Sequence, residues 1–215
     1  MKKLIIAFIA IGTWQIATAQ SAKDIVSASD VKISWLGIDL SHIKLIGNFS
    51  QMKDAGQTSP SEIRGTYFPA WNGLIINEQK KYDLRGMLRK DNILFEVDQM
   101  NEKNSKTSLD GMEASNPPGY KEEDIAKFVK EYKLDGKTGI GIAFIAESFN
   151  KGMEQATIHF VAINNATKEI LIYEKITAKP AGFGIRNYWA GAIRGVMQNI
   201  EKTYYKQWKS KYGGK

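Results

Sequence analysis

The chain has 215 residues, 43% of them hydrophobic and 25% charged, with no cysteine and a formal charge of +7. Without cysteine there are no disulfides, thiolate nucleophiles or cysteine-ligated metals, so the fold rests on its core. A chain of this size buries on the order of 70% of its unfolded surface, enough for one domain.

Met1-Lys2-Lys3 supplies a positive n-region, Leu4 to Ile11 an apolar h-region, and Ala17-Thr18-Ala19 the small-x-small pattern read by signal peptidase. A spanning helix needs roughly 20 apolar residues, and Thr13, Gln15 and Thr18 interrupt the run too early. Residues 1–19 therefore read as a cleaved signal peptide and 20–215 as a single α/β domain, periplasmic or secreted. No transmembrane segment is expected after cleavage, and no cysteine is present for lipid attachment. Taking Lys2 and Lys3 from the 30 basic residues leaves 28 against 23 acidic ones, or +5. Export makes nucleic acid the wrong partner for that charge and an anionic envelope surface the better one.

Val31 to Leu40 predicts the first strand. Val31, Ile33 and Trp35 share one face, whereas Ile38 and Leu40 fall on the other parity past Gly37, so a bulge or burial on both faces is expected there. Residues 48–61 read as a loop. Ile63 to Asn77 predicts a helix weakened by Gly65 and Pro69, and Asp83 a cap for a short helix running to Lys90. Ile93 to Val97 predicts a strand, which would turn Glu96 and Asp98 to the same side. Asn101 to Gly119, rich in Asn, Ser, Lys and Gly, reads as the least ordered stretch.

Lys121 to Leu134 carries an apolar stripe of Ile125, Phe128, Val129 and Tyr132, with Glu122, Glu123 and Asp124 in its first turn. The apolar run Gly139 to Glu147 argues for an interior strand. Thr157 to Ile163 and Glu169 to Thr177 follow as a hairpin. A long helix from Arg186 to Lys209 closes the chain, with Trp189, Ile193, Val196, Met197, Ile200, Tyr204 and Trp208 on one stripe. The expected architecture is α+β or α/β in two or three layers. It has a mixed, partly antiparallel sheet of about five strands, with helices packed on it.

No stretch carries a catalytic, metal or cofactor signature, so none of these is expected. His159 lies mid-strand and reads as outward-facing or hydrogen-bonded. Asp39, Ser41 and His42 cluster past the first strand, but neighbours at that spacing suit a turn better than a triad. The leading ligand-binding candidates are Gly182, Gly184, Arg186 and Asn187, together with Asp39. Two glycines before a helix N-terminus expose backbone amides, and the Arg186 guanidinium beside them would suit a small anion. Against this stands a tight connection whose arginine pairs with a carboxylate.

Across Gly182 to Gly191, Gly139 to Phe149 and the hairpin, the chain resembles a family of uncharacterised secreted proteins of Bacteroidetes-type bacteria. More distantly, the element order is similar to the TolB amino-terminal domain and to curli-secretion and penicillin-binding-protein-activator lipoproteins. It differs from the lipoproteins in lacking an anchoring cysteine. The resemblance implies a non-catalytic interaction or assembly domain of the cell envelope with a protein partner. The alternative is a small-anion binder or hydrolase using the Gly182–Asn187 turn.

Overall fold

A computed structural model describes residues 20–49 and 58–214. The signal-peptide reading of 1–19 and most of the expected 48–61 loop lie outside the described residues.

Seven strands make one sheet: β1 (Ile33–Asp39), β2 (Lys44–Ile46), β3 (Leu94–Phe95), β4 (Glu113–Ala114), β5 (Ile140–Asn150), β6 (Gln155–Asn164) and β7 (Ile170–Ala178). The five-strand path β3-β1-β5-β2-β4 is parallel at every pairing and curls as a half-barrel. That corrects the expectation of a partly antiparallel sheet of about five strands: the five-strand path is all parallel, and antiparallel pairing is confined to β6 and β7 beyond it. The reason lies in β5, whose residues 140–145 pair with β1 and 148–150 with β2, while β6 takes the opposite edge along its whole length. β1 and β2 are thus successive pieces of one edge, and the helical crossovers return each later strand of the path in the same direction. Tight hairpins reverse the chain only after β5, where β6 and β7 extend the sheet beyond that path.

The glycine at the parity switch in β1 does what its position suggested. The register with β5 slips between Trp35 and Gly37, and Gly37 takes φ +113°, a conformation that glycine adopts without steric cost. A Cβ there would also come within 2.8 Å of Asn72 Oδ1.

The helices are α1 (Ala22–Ser27), α2 (Pro60–Glu62), α3 (Phe68–Asn77), α4 (Leu84–Leu88), α5 (Asp98–Ser105), α6 (Glu122–Lys130), α7 (Gly184–Asn199) and α8 (Tyr205–Tyr212). A π turn at Ile63–Tyr67 joins α2 to α3. Pro69 has no N–H to give, and the wider turn just before it lets the helix pass the proline without a break. Asp83 caps α4, its Oδ1 accepting from the Gly86 N–H at 2.9 Å.

A second π turn, Ile200–Tyr204, sits between α7 and α8. Its extra residue shifts the helical phase. The expected stripe stays buried through Ile200, but Tyr205 rather than Tyr204 then turns inward ahead of Trp208.

Two expectations fail in the middle of the chain. The strand at Ile93–Val97 shrinks to Leu94–Phe95, and Asp98 begins α5, so Glu96 and Asp98 do not form a same-side pair. The stretch read as least ordered contains most of α5 and all of β4.

Helices α3, α4, α7 and α8 cover one face of the sheet over a core that includes Trp35, Phe144, Phe160, Trp189 and Trp208. On the other face, α6 packs Ile125 and Val129 against Ala143, Ile145, Val161 and Ile163. Among the described residues no helix is long and apolar enough to cross a membrane.

Candidate functional site

The carboxyl ends of parallel strands are where α/β sheets usually gather functional groups, and β1 ends there in Asp39. The outer edge of β1 has a strand neighbour only at Ser34 and Trp35. Past that point two buried asparagines replace it. Asn72 Oδ1 accepts from the Ile38 N–H at 2.7 Å, and its Nδ2 donates to the Ile38 carbonyl at 3.1 Å. Asn104 Oδ1 accepts from the Leu40 N–H at 2.8 Å, and its Nδ2 donates to the same carbonyl at 2.8 Å. Asn72 is a polar residue inside the otherwise apolar run of α3, whereas α5 is polar almost throughout and gives Asn104 no such signal.

Held by these clamps, Asp39 is fully buried and its carboxylate is surrounded. Oδ1 accepts from the Ser41 hydroxyl at 2.6 Å and the Ser41 N–H at 2.9 Å. Oδ2 accepts from Lys103 Nζ at 2.9 Å and from the Tyr132 hydroxyl at 2.9 Å. Lys103 also donates to Ser41 Oγ at 2.7 Å and pairs with Glu131 at 2.9 Å. Burial works to raise the Asp39 carboxyl, but the Lys103 charge and the Ser41 hydrogen bonds outweigh it and hold it below the usual carboxylate value. Burial first, and then the Asp39 charge, push the Tyr132 phenol well above its ordinary value.

The structure therefore brings Asp39 and Ser41 together but not His42 onto either of them. The His42 ring lies flat on Phe128 with centroids 3.7 Å apart, and its Nε2 meets Glu131 at 3.2 Å. Lys103 spends its three ammonium donors on Asp39, Ser41 and Glu131, and Ser41 spends its hydroxyl proton on Asp39. What remains is a closed electrostatic knot without a free base beside the serine. A shallow hollow of about 150 Å³ opens beside it, lined by Gln99, Met100, Glu102, Lys103, Tyr132 and others.

A second knot crosses the sheet. His159 is fully buried, its Nε2 2.9 Å from Glu147 and its Nδ1 3.0 Å from the Tyr173 hydroxyl. Of its two expected settings it takes the hydrogen-bonded one. Glu147 also pairs with Lys175 at 2.7 Å. Burial tends to raise its carboxyl, but His159 and Lys175 hold it below the usual value. Glu147 sits where the β5–β6 register slips between Ala146 and Ser148. An acid at the end of an apolar run was the available signal, and the run itself hid it.

The Gly182–Asn187 turn is built as a strand-to-helix connection. Gly182 and Gly184 take positive φ, 125° and 76°, and α7 starts at Gly184 without a side-chain cap. Arg186 points to Glu78 at 3.3 Å and to the neighbouring Asn187 Oδ1 at 3.0 Å, while its carbonyl accepts from Trp71 Nε1 at 2.9 Å. Gly182 and Asn187 line a cleft of about 420 Å³ with Lys81, Lys179, Arg194 and Gln198; Arg186, Gly184 and Asp39 do not. The five candidate residues thus divide among three places. Among the described residues no group of three or more His, Asp or Glu side chains is placed to hold a metal ion.

No family model matches the chain, and no curated protein does.

Proposed function

We propose that the chain is a non-catalytic interaction domain, exported to the cell envelope, that acts through its surface on a protein partner. The observation that carries this reading is the saturation of Asp39. Its carboxylate, buried at the carboxyl end of β1, already accepts from Ser41, Lys103 and Tyr132. A general base must reach a substrate proton within hydrogen-bond distance, and this one is spent on its own protein. The charged groups there hold α5 and α6 onto the sheet instead. Phe183, 77% exposed at the start of α7, is the kind of large apolar side chain that partner contacts use. The leader-like residues 1–19 support export.

The test is complementation of a deletion strain. Ser41→Ala removes the hydroxyl beside Asp39 and is expected to restore the phenotype fully. Phe183→Ser is expected to fold, by its circular dichroism, and to fail. A folded Ser41→Ala protein that does not complement would refute the non-catalytic reading.

A further inference from the structure

We infer that the cleft between the tail of β7 and α7 is a binding site for a phosphate-type anion, held by Arg194, Lys179 and Lys81. Asn187, Gly191, Gly195 and Gln198 lie along one face of α7, and Arg194 stands beside them. The chain leaving β7 crosses this face so closely that a Cβ on Gly191 would overlap the Ala181 carbonyl oxygen, and one on Gly195 would come within 3.0 Å of the Ala178 Cβ. Packing explains those glycines. It does not explain the cations.

Three of them, from separate parts of the chain, line a cleft of about 420 Å³ that no carboxylate lines. Lys179 and Arg194 make no hydrogen bond or ion pair among the described residues, although both are exposed. Lys81 is only loosely held, 3.8 Å from a Glu78 oxygen, and Glu78 already engages Arg186 at 3.3 Å. Like charges only partly offset by Glu78 repel one another, so an anion placed among them is favoured by all three. The guanidinium offers paired parallel donors that fit a tetrahedral oxyanion bidentately, and the two ammonium groups supply point charges. Gln198 and Asn187 add amide donors at the rim. A dianionic phosphoryl group matches this set better than chloride or a monocarboxylate.

The site stands on the opposite face of the sheet from the Asp39 knot and does not depend on a protein partner. Titration calorimetry with inorganic phosphate and with pyrophosphate, against sodium chloride at matched ionic strength, tests it. Saturable binding of the phosphates is expected, weakened at least tenfold in Arg194→Gln and in Lys179→Ala. It should be unchanged in Lys127→Ala, an α6 lysine paired with Asp124. Sedimentation with phosphatidylglycerol vesicles separates the sources of the group. Pelleting that phosphate competes away assigns a lipid headgroup, and no pelleting assigns a free phosphorylated solute. Equal heats from phosphate and chloride would overturn the inference, as would wild-type binding in folded Arg194→Gln and Lys179→Ala proteins.

Discussion

Replacing Asn104 with alanine isolates the part of the fold that stands in for a missing strand. The Leu40 N–H loses its only partner among the described residues, and an orphaned buried donor costs about 1–3 kcal/mol. The Ile38 carbonyl loses one of two donors but keeps Asn72 Nδ2, so that loss adds about 1 kcal/mol at most. The variant should therefore be about 1–4 kcal/mol less stable in urea unfolding. Asn72→Ala orphans the Ile38 N–H instead and should cost a similar amount. The two losses should not add. Only in the double variant does the Ile38 carbonyl lose both donors, so the double should exceed the sum by about 1–2 kcal/mol. Amide exchange gives a site-specific check that survives even where the double variant is too unstable to titrate. Asn104→Ala should speed exchange at Leu40 and leave Ile38 protected, and Asn72→Ala should do the reverse. Strict additivity, or exchange speeding equally at both amides in both single variants, would refute the strand-substitute account.

Stability should fall in acid below about pH 4.5, the ordinary value for Glu147, with Asp39 contributing below its ordinary 3.8. Both carboxyls titrate lower in the folded state than in the unfolded one. Their stabilisation is complete above the unfolded values and is lost as pH drops through the folded ones. Unfolding midpoints measured from pH 7 to pH 2 should show it, and a flat profile through that window would contradict the saturated state of both carboxylates. Gly191→Ala should cost about 1–3 kcal/mol in thermal unfolding, because its methyl meets backbone that cannot rotate away. Gly65→Ala, with open space around the new methyl, should cost nothing.

How much of this was legible depended on whether a residue's role is local. Gly37 declared its bulge through the parity of Trp35 and Ile38. Asp83 declared its cap through the helix that follows it, and the α7 stripe declared its buried face through spacing. The sheet's sense of pairing could not be read that way. β2 and β4 are three and two residues long, too short for any periodic signal, and β3 keeps only two residues of the strand expected over Ile93–Val97. Their parallel pairing is set by long-range returns of the chain, β2 to the edge of β5, β3 to the outer edge of β1 and β4 to that of β2. The same holds for the sites. Ser41 meets Asp39 through a local turn, two residues apart, whereas Lys103 and Tyr132 arrive from 64 and 93 residues away. Arg186 looked like an anion ligand because Gly182 and Gly184 precede it. Its actual partner, Glu78, lies 108 residues earlier.

That long-range closure bears on function as well as on fold. A ligand entering at the end of β1 would have to break the Ser41 hydrogen bonds to Asp39 or displace Lys103, and the latter leaves the buried Asp39 charge uncompensated, a loss that typically costs about 3–5 kcal/mol. Binding energy of that size is hard to recover in a hollow of about 150 Å³. Donors whose charge is not already committed cost far less to engage. On this chain Arg194 and Lys179 meet that condition beside the glycine turn, and Arg186, the more obvious residue in sequence, does not. The physical cost of opening each cluster thus moves the search for a ligand from the strand ends to the face of α7.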